Sequence, residues 1–214
     1  MSIKNLIFDV DGTIWNSTEV VARAWRQAVK DAEVSDLYIT ADMLKKEFGK
    51  PMDEIFASLF PDMTDSKVKA KMAKFIYSYE ERYLVENTED LTYPGMKEEF
   101  FKLAKKYNIY IVSNCQAGYI ELVMDKVGIR ECIKDWDCFG YTGLPKSGTI
   151  RKLMEKNALE DKETVYIGDT NGDFIATKEA GLKFVFVSFG FGEVANPDAT
   201  IEKIDDLEEA IKNL

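Results

Sequence analysis

The sequence predicts an α/β protein with a doubly wound parallel sheet and an all-helical insertion after the first strand. Three observations predict it. Short apolar, partly β-branched runs at Ile3–Phe8, Ile109–Val112, Thr164–Ile167 and Phe184–Val187 read as strands buried on both faces. From Tyr93 onward these runs alternate with amphipathic helical segments, the βαβ pattern that builds a parallel sheet. Between about Trp15 and Asp90 every periodic segment is helical. Residues 1–14 and 91–214 are therefore assigned to a Rossmann-like core, and 15–90 to the helical insertion.

Each element follows from local signals. The first strand ends at Asp9. Asn16 with Glu19 three residues later has the form of a capping box, and Val21, Trp25, Ala28 and Val29 continue it as a helical stripe. Thr40, Pro51 and Thr64 mark further helix starts. Met72, Phe75, Ile76, Tyr79 and Tyr83 recur at helical spacing in the longest periodic segment. Tyr93-Pro94-Gly95 then breaks the pattern, and a helix with Met96, Phe100 and Leu103 on one face precedes the strand Ile109–Val112. Ile120, Val123, Met124 and Val127 form the next stripe, with Gly128 suited to the C-terminal cap. Helices at Ile150–Lys156 and Phe174–Ala180 flank the strand Thr164–Ile167.

Composition narrows the function. The formal net charge of -10 disfavours nucleic acid and anionic membrane as partners, but a metal ion in one cleft reverses the local field for a small phosphorylated ligand. The N-terminal apolar run breaks at Asp9, too early for a secretion signal, and no run reaches membrane-spanning length. Cys115, Cys132 and Cys138 are odd in number and lack a CxxC spacing, so they are expected as reduced thiols of a cytoplasmic protein. The chain has no histidine, which excludes Ser-His-Asp and Cys-His centres and every His-ligated metal site.

In open α/β sheets ligands bind beyond the carboxyl ends of the strands. One strand here delivers Asp9-Val10-Asp11-Gly12-Thr13, another Ser113-Asn114, and a third Gly168-Asp169 followed by Asp173. Four carboxylates converging on one cleft would repel one another without a cation. An all-oxygen donor set suits Mg²⁺. Taken singly, each piece is also an ordinary turn or helix cap. A calcium loop starting at Asp169 is excluded, because Phe174 stands where that loop needs Gly and Ala180 where it needs Glu.

The constellation resembles the haloacid dehalogenase-like superfamily, in its capped subgroup similar to phosphoglycolate phosphatase. Asp9–Thr13 matches the first motif, Ser113 the second, and Gly168-Asp169 with Asp173 the fourth. Lys146, between the second and fourth motifs and just before a helix, matches the third, with Ser147 where Pro is commoner and Lys152 as the fallback. The resemblance implies that the insertion is a cap domain, that Asp9 is the nucleophile forming an aspartyl-phosphate, and that Asp11 is the acid and base. It further implies a Mg²⁺ held by Asp9, the Asp11 main-chain carbonyl and Asp169, with Asp173 in support. Ser113 and Lys146 would bind phosphate alongside backbone N–H groups near Gly12 and Asn114. Asp11 points away from dehalogenases and ion-pumping ATPases, which lack a carboxylate there. The expected activity is hydrolysis of a small phosphate monoester, such as phosphoglycolate or a sugar phosphate. A phosphomutase of β-phosphoglucomutase type and a catalytically silent phosphate-binding protein are the alternatives.

Two motifs compete. Gly140–Ser147 nearly spells a P-loop, but Pro145 replaces the second glycine and removes an N–H from the cradle. Gly190-Phe191-Gly192 with Ala195 matches a dinucleotide fingerprint, but Asn196-Pro197 cuts off the helix that would receive the pyrophosphate. Arg23, Arg26 and Lys50 are candidates for substrate recognition from the insertion, beside their plainer reading as solvated helix charges.

Overall fold

The computed structural model describes residues 2–33 and 35–214; Met1, with which the expected first segment begins, and Val34 lie outside them. The chain divides into two compact units: residues up to Asn16 with Thr92–Leu214, and Ser17–Leu91.

The first unit is an α/β core. Its strands are β1 (Asn5–Phe8), β2 (Asn108–Ser113), β3 (Ile133–Cys138), β4 (Thr164–Gly168), β5 (Lys183–Val187) and β6 (Ala199–Ile201). They form one sheet in the order β3-β2-β1-β4-β5-β6, with every pair parallel. The order reverses at β1, and a crevice opens at such a switch point. Successive side chains of β1 serve opposite faces. Ile7 packs with Ile150, Leu153, Met154 and Ala176, whereas the Phe8 ring meets Phe100 with centroids 4.7 Å apart. One buried dipeptide thus anchors a helical layer on each side of the sheet. Replacing Phe8 with Ala is expected to cost about 3–5 kcal/mol, read as a lowered urea midpoint.

Two strands were not expected. β3, Ile-Lys-Asp-Trp-Asp-Cys, carries charges because it is an edge strand with Lys134 exposed. β6 has only 3 residues, too short for a periodic signal.

The second unit contains α1 (Thr18–Ala32), α2 (Ala41–Glu47), α3 (Met52–Leu59) and α4 (Ser66–Glu86). Within it the buried Trp25 of α1 donates from Nε1 to Oε2 of the buried Glu80 of α4 at 2.8 Å. The capping box expected at Asn16 does not start α1. Ser17, not Asn16, is the N-cap; its φ of -87° and ψ of -4° are already helical, and its own side chain does not cap the first amides. Thr40 does cap α2, accepting from Met43 N at 3.2 Å. α4 begins one turn position after Thr64, where Asp65 accepts from Lys67 N and Val68 N at 2.7 and 3.2 Å. The core helices that follow are α5 (Met96–Leu103), α6 (Tyr119–Val127), α7 (Phe139–Thr142), α8 (Lys146–Lys156), α9 (Asn171–Glu179) and α10 (Leu207–Lys212). Among the described residues no helix is long and apolar enough to cross a membrane.

Candidate active site

The register of the sheet assembles the site. Phe8 lies level with Ile111 of β2 and Ile167 of β4. Asp9, Ser113 and Asp169 consequently leave three adjacent strands at the same end, beside the switch point. Asp9 is held there by its own backbone, N donating to Ile167 O at 2.9 Å.

Lys146, first residue of α8, reaches the same place. Its Nζ donates to Asp9 Oδ1 at 2.9 Å and to Asp173 Oδ1. It also reaches the hydroxyl of Tyr166, which itself donates to Val112 O at 2.8 Å. Burial opposes the Lys146 charge, but the Asp173 and Asp9 carboxylates together outweigh it and hold the ammonium well above its usual range. Lys152, the fallback, pairs instead with Asp137 at 3.2 Å on a half-exposed surface and does not enter the site.

Asp173 has two tasks. Its Oδ2 accepts from Thr170 N at 3.0 Å and Thr170 Oγ1 at 2.7 Å, while Thr170 Oγ1 accepts from Asp173 N at 3.1 Å. That reciprocal box starts α9, and the remaining oxygen orients Lys146. Asp173 thus caps α9 with one oxygen and meets Lys146 with the other.

Asp169 is fully buried. It accepts from Thr13 Oγ1 at 3.2 Å and from Phe191 N at 2.7 Å. Glycines make room for it: a Cβ on Gly12, whose φ is +86°, would lie 2.1 Å from Asp169 Oδ2, and one on Gly190 would lie 2.2 Å from Asp169 Cβ. The glycines of the dinucleotide-like motif thus belong to this site as spacers. The Gly12 N–H itself donates to Trp15 O at 2.9 Å, so any phosphate contact in this loop would come from neighbouring N–H groups. The first-motif loop curls on itself, and Gly12 gives it the close packing against Asp169. Gly12→Ala is expected to introduce ~1–2 kcal/mol of backbone strain and to displace Asp169. Thermal melts and Mg²⁺ titration calorimetry of the variant would show both losses.

Asp11 is partly exposed. Its Oδ1 accepts from Trp15 Nε1 at 3.0 Å and from Tyr119 Oη at 2.8 Å. Ser113 is buried at the end of β2 and contacts the Cys115 thiol; Asn114 follows it. Tyr93 flanks the carboxylates, and burial together with Asp169 and Asp11 pushes its phenol far up, so it stays neutral. Tyr119, Trp15 and Tyr166 carried no signal in the sequence, and Phe191 and Tyr93 were noticed only as parts of other patterns, because only tertiary contacts bring them here. In the helical unit, Arg26 donates to Ile39 O at 2.8 Å and Lys50 pairs with Glu47 at 2.8 Å, while Arg23 is exposed.

The electrostatics leave room for a cation. Asp9, Asp169 and Asp173 each offer a carboxylate oxygen, all within 4.8 Å of one another and all buried. Burial raises the Asp9 carboxyl to about 7 against the pull of Lys146, and Asp173 and Asp11 add to the rise. Burial, then Asp173 and Asp9, likewise push Asp169 well up. A divalent cation with oxygen ligands would relieve this repulsion, so the donor set fits such an ion.

Known proteins place the chain in a family. The family model for haloacid dehalogenase-like hydrolases matches residues 6–187. A phosphoglycolate phosphatase of Vibrio parahaemolyticus is 25% identical over 98% of this chain and 96% of its own. Another from Aquifex aeolicus is 25% identical over 97% and 96%. The solved haloacid dehalogenase-like hydrolase SP0104 from Streptococcus pneumoniae superposes with a TM-score of 0.82, at 20% identity, over 97% of both chains. With the motif residues gathered at one end of a parallel sheet and a match along most of its length, the chain belongs to the haloacid dehalogenase-like hydrolase family.

Proposed function

We propose that this hydrolase is a metal-dependent phosphatase that cleaves a small phosphate monoester through an aspartyl-phosphate on Asp9. The observation that carries the proposal is the buried Asp9 carboxylate, joined to Lys146 at 2.9 Å and within 4.8 Å of the Asp169 and Asp173 oxygens. Residues that crowd three carboxylates around one ammonium suit a site that also receives a cation and a phosphoryl group.

In the first step an Asp9 oxygen bonds to phosphorus while the bond to the leaving oxygen breaks. Asp11 gives that oxygen its proton, so the alcohol departs and Asp11 is left as the carboxylate. In the second step Asp11 takes a proton from water, whose oxygen attacks phosphorus, and the Asp9–phosphorus bond breaks to release inorganic phosphate. Lys146 favours the Asp9 anion needed for attack and, with Ser113 and the N–H groups around Asn114, would neutralise charge on the phosphoryl oxygens. Asp9, the Asp11 carbonyl and Asp169 would hold the cation, proposed as Mg²⁺, which supplies further neutralisation of phosphate charge. Asp173, with Oδ2 already filled by two donors from Thr170, supports Lys146.

Relatives named phosphoglycolate phosphatase favour a small phosphorylated metabolite as substrate, with residues 17–91 as the cap that selects it. The test is a panel of phosphoglycolate, sugar phosphates and p-nitrophenyl phosphate with Mg²⁺. Inorganic phosphate release is expected, silenced by EDTA and restored by Mg²⁺. Undiminished activity in EDTA would remove the metal from the mechanism, and no turnover of any ester would overturn the proposal. Transfer of the phosphoryl group to a sugar phosphate instead of water would make the enzyme a mutase.

A further inference from the structure

We propose that Tyr119 and Trp15 are positioning residues that fix the orientation of the Asp11 carboxyl for proton transfer. The proposal rests on Asp11 being the acid and base of the phosphatase reaction. Its basis is that both donors converge on one atom: Tyr119 Oη at 2.8 Å and Trp15 Nε1 at 3.0 Å from Asp11 Oδ1. A carboxylate oxygen accepts two such bonds in its plane. Two donors on one oxygen fix the plane of the carboxyl. The terminal torsion of an aspartate is otherwise broad, and misorientation of a transferring group costs rate steeply.

Both donors are themselves locked. Trp15 is 2% exposed and Tyr119 5%, and their rings meet edge to face, with centroids 6.0 Å apart at 69°. Trp15 lies at the exit of the first-motif loop, where its carbonyl accepts from Gly12 N at 2.9 Å and its backbone bridges both Asp11 and Thr92. Tyr119 opens α6 directly after Gly118, whose φ of +88° turns the chain from the Ser113 strand end into the helix. Two separate segments of the core thus meet on one carboxylate oxygen.

The test uses Tyr119→Phe and Trp15→Phe in the Mg²⁺-supplemented enzyme with two esters. An alkyl phosphate needs its leaving oxygen protonated, whereas p-nitrophenyl phosphate does not. Because kcat/KM covers the steps up to leaving-group release, it reports the first proton transfer alone. Each variant is expected to lower the ratio of alkyl to aryl kcat/KM about tenfold, with the change in kcat rather than KM. In an Asp11→Ala background Tyr119→Phe is expected to change that ratio less than about twofold, because it acts through Asp11. An activity-independent arm is the indole N–H spectrum of the 3 tryptophans, in which Asp11→Ala is expected to move the Trp15 signal upfield. An unchanged ratio in an active enzyme, equal losses on both esters, or full additivity with Asp11→Ala would overturn the positioning role. A wild-type enzyme inactive on both esters would instead overturn the phosphatase proposal, and the positioning role with it.

Discussion

Asp9→Asn is expected to lower turnover at least about 10⁴-fold and to leave the metal-free protein as stable as the parent or more so. The first effect follows from chemistry: an amide oxygen is a poor nucleophile and accepts no phosphoryl group stably. The second follows from burial. The Asp9 carboxyl titrates near 7 in the folded protein against an ordinary value of 3.8, because desolvation outweighs the Lys146 ammonium. A raised acid group favours folding in its protonated form. Its contribution is therefore fully present below about pH 4 and is lost as pH rises through about 7. Asparagine resembles the protonated form at every pH. The melting temperature of Asp9→Asn, measured in EDTA, should exceed that of the parent by a few degrees at pH 8 and by less at pH 5. A variant that melts below the parent at pH 8 would show that the Lys146 pairing, not desolvation, dominates at Asp9. A variant that turns over p-nitrophenyl phosphate at the parental rate would remove Asp9 from the chemistry.

The sequence made the centre of the sheet legible and its edges obscure, for one physical reason. β1, β2, β4 and β5 are buried almost throughout, so their residues are apolar nearly without interruption. β3 has solvent on part of its surface and is stabilised by its ladder to β2, from Ile109↔Ile133 to Ser113↔Cys138, a pairing that no local pattern records. The same division runs through the candidate site. Asp9, Ser113 and Asp169 are legible because strand ends lie next to one another wherever their strands do. Lys146 became legible through the family resemblance, since α8 is distant in sequence from the strands it serves. Tyr119 and Trp15 had no such route: an aromatic residue at the start of an apolar stripe reads as core, and its hydroxyl partner is a tertiary fact. Gly190 and Gly192 show the converse. Their spacing attracted notice as a nucleotide motif, whereas their missing side chains admit Asp169 and the backbone around Thr170.

Lys146→Met should be the most damaging single change for stability at the site. Lys146 is 5% exposed, and its ammonium is bonded to both Asp9 and Asp173. Removing one partner of a buried ion pair leaves the other charge uncompensated, at about 3–5 kcal/mol. Here two carboxylates lose their cation at once, and Asp169, already raised by burial and then by Asp173 and Asp9, loses the offsetting charge of Lys146. The loss should be largest at pH 8 and smaller at pH 5, where a raised carboxyl carries its proton and no longer needs a counter-charge. Urea unfolding in EDTA at the two pH values measures this directly. Mg²⁺ should raise the urea midpoint of the variant more than that of the parent, since a bound cation takes over part of the missing charge. Activity with Mg²⁺ should still fall about 10²–10³-fold, because the ammonium also faces the phosphoryl oxygens in the proposed mechanism. Lys152→Met supplies the comparison: its half-exposed pair with Asp137 at 3.2 Å should contribute no more than about 1 kcal/mol. If Lys152→Met proved the more damaging of the two, the assignment of the third-motif lysine to Lys146 would fall.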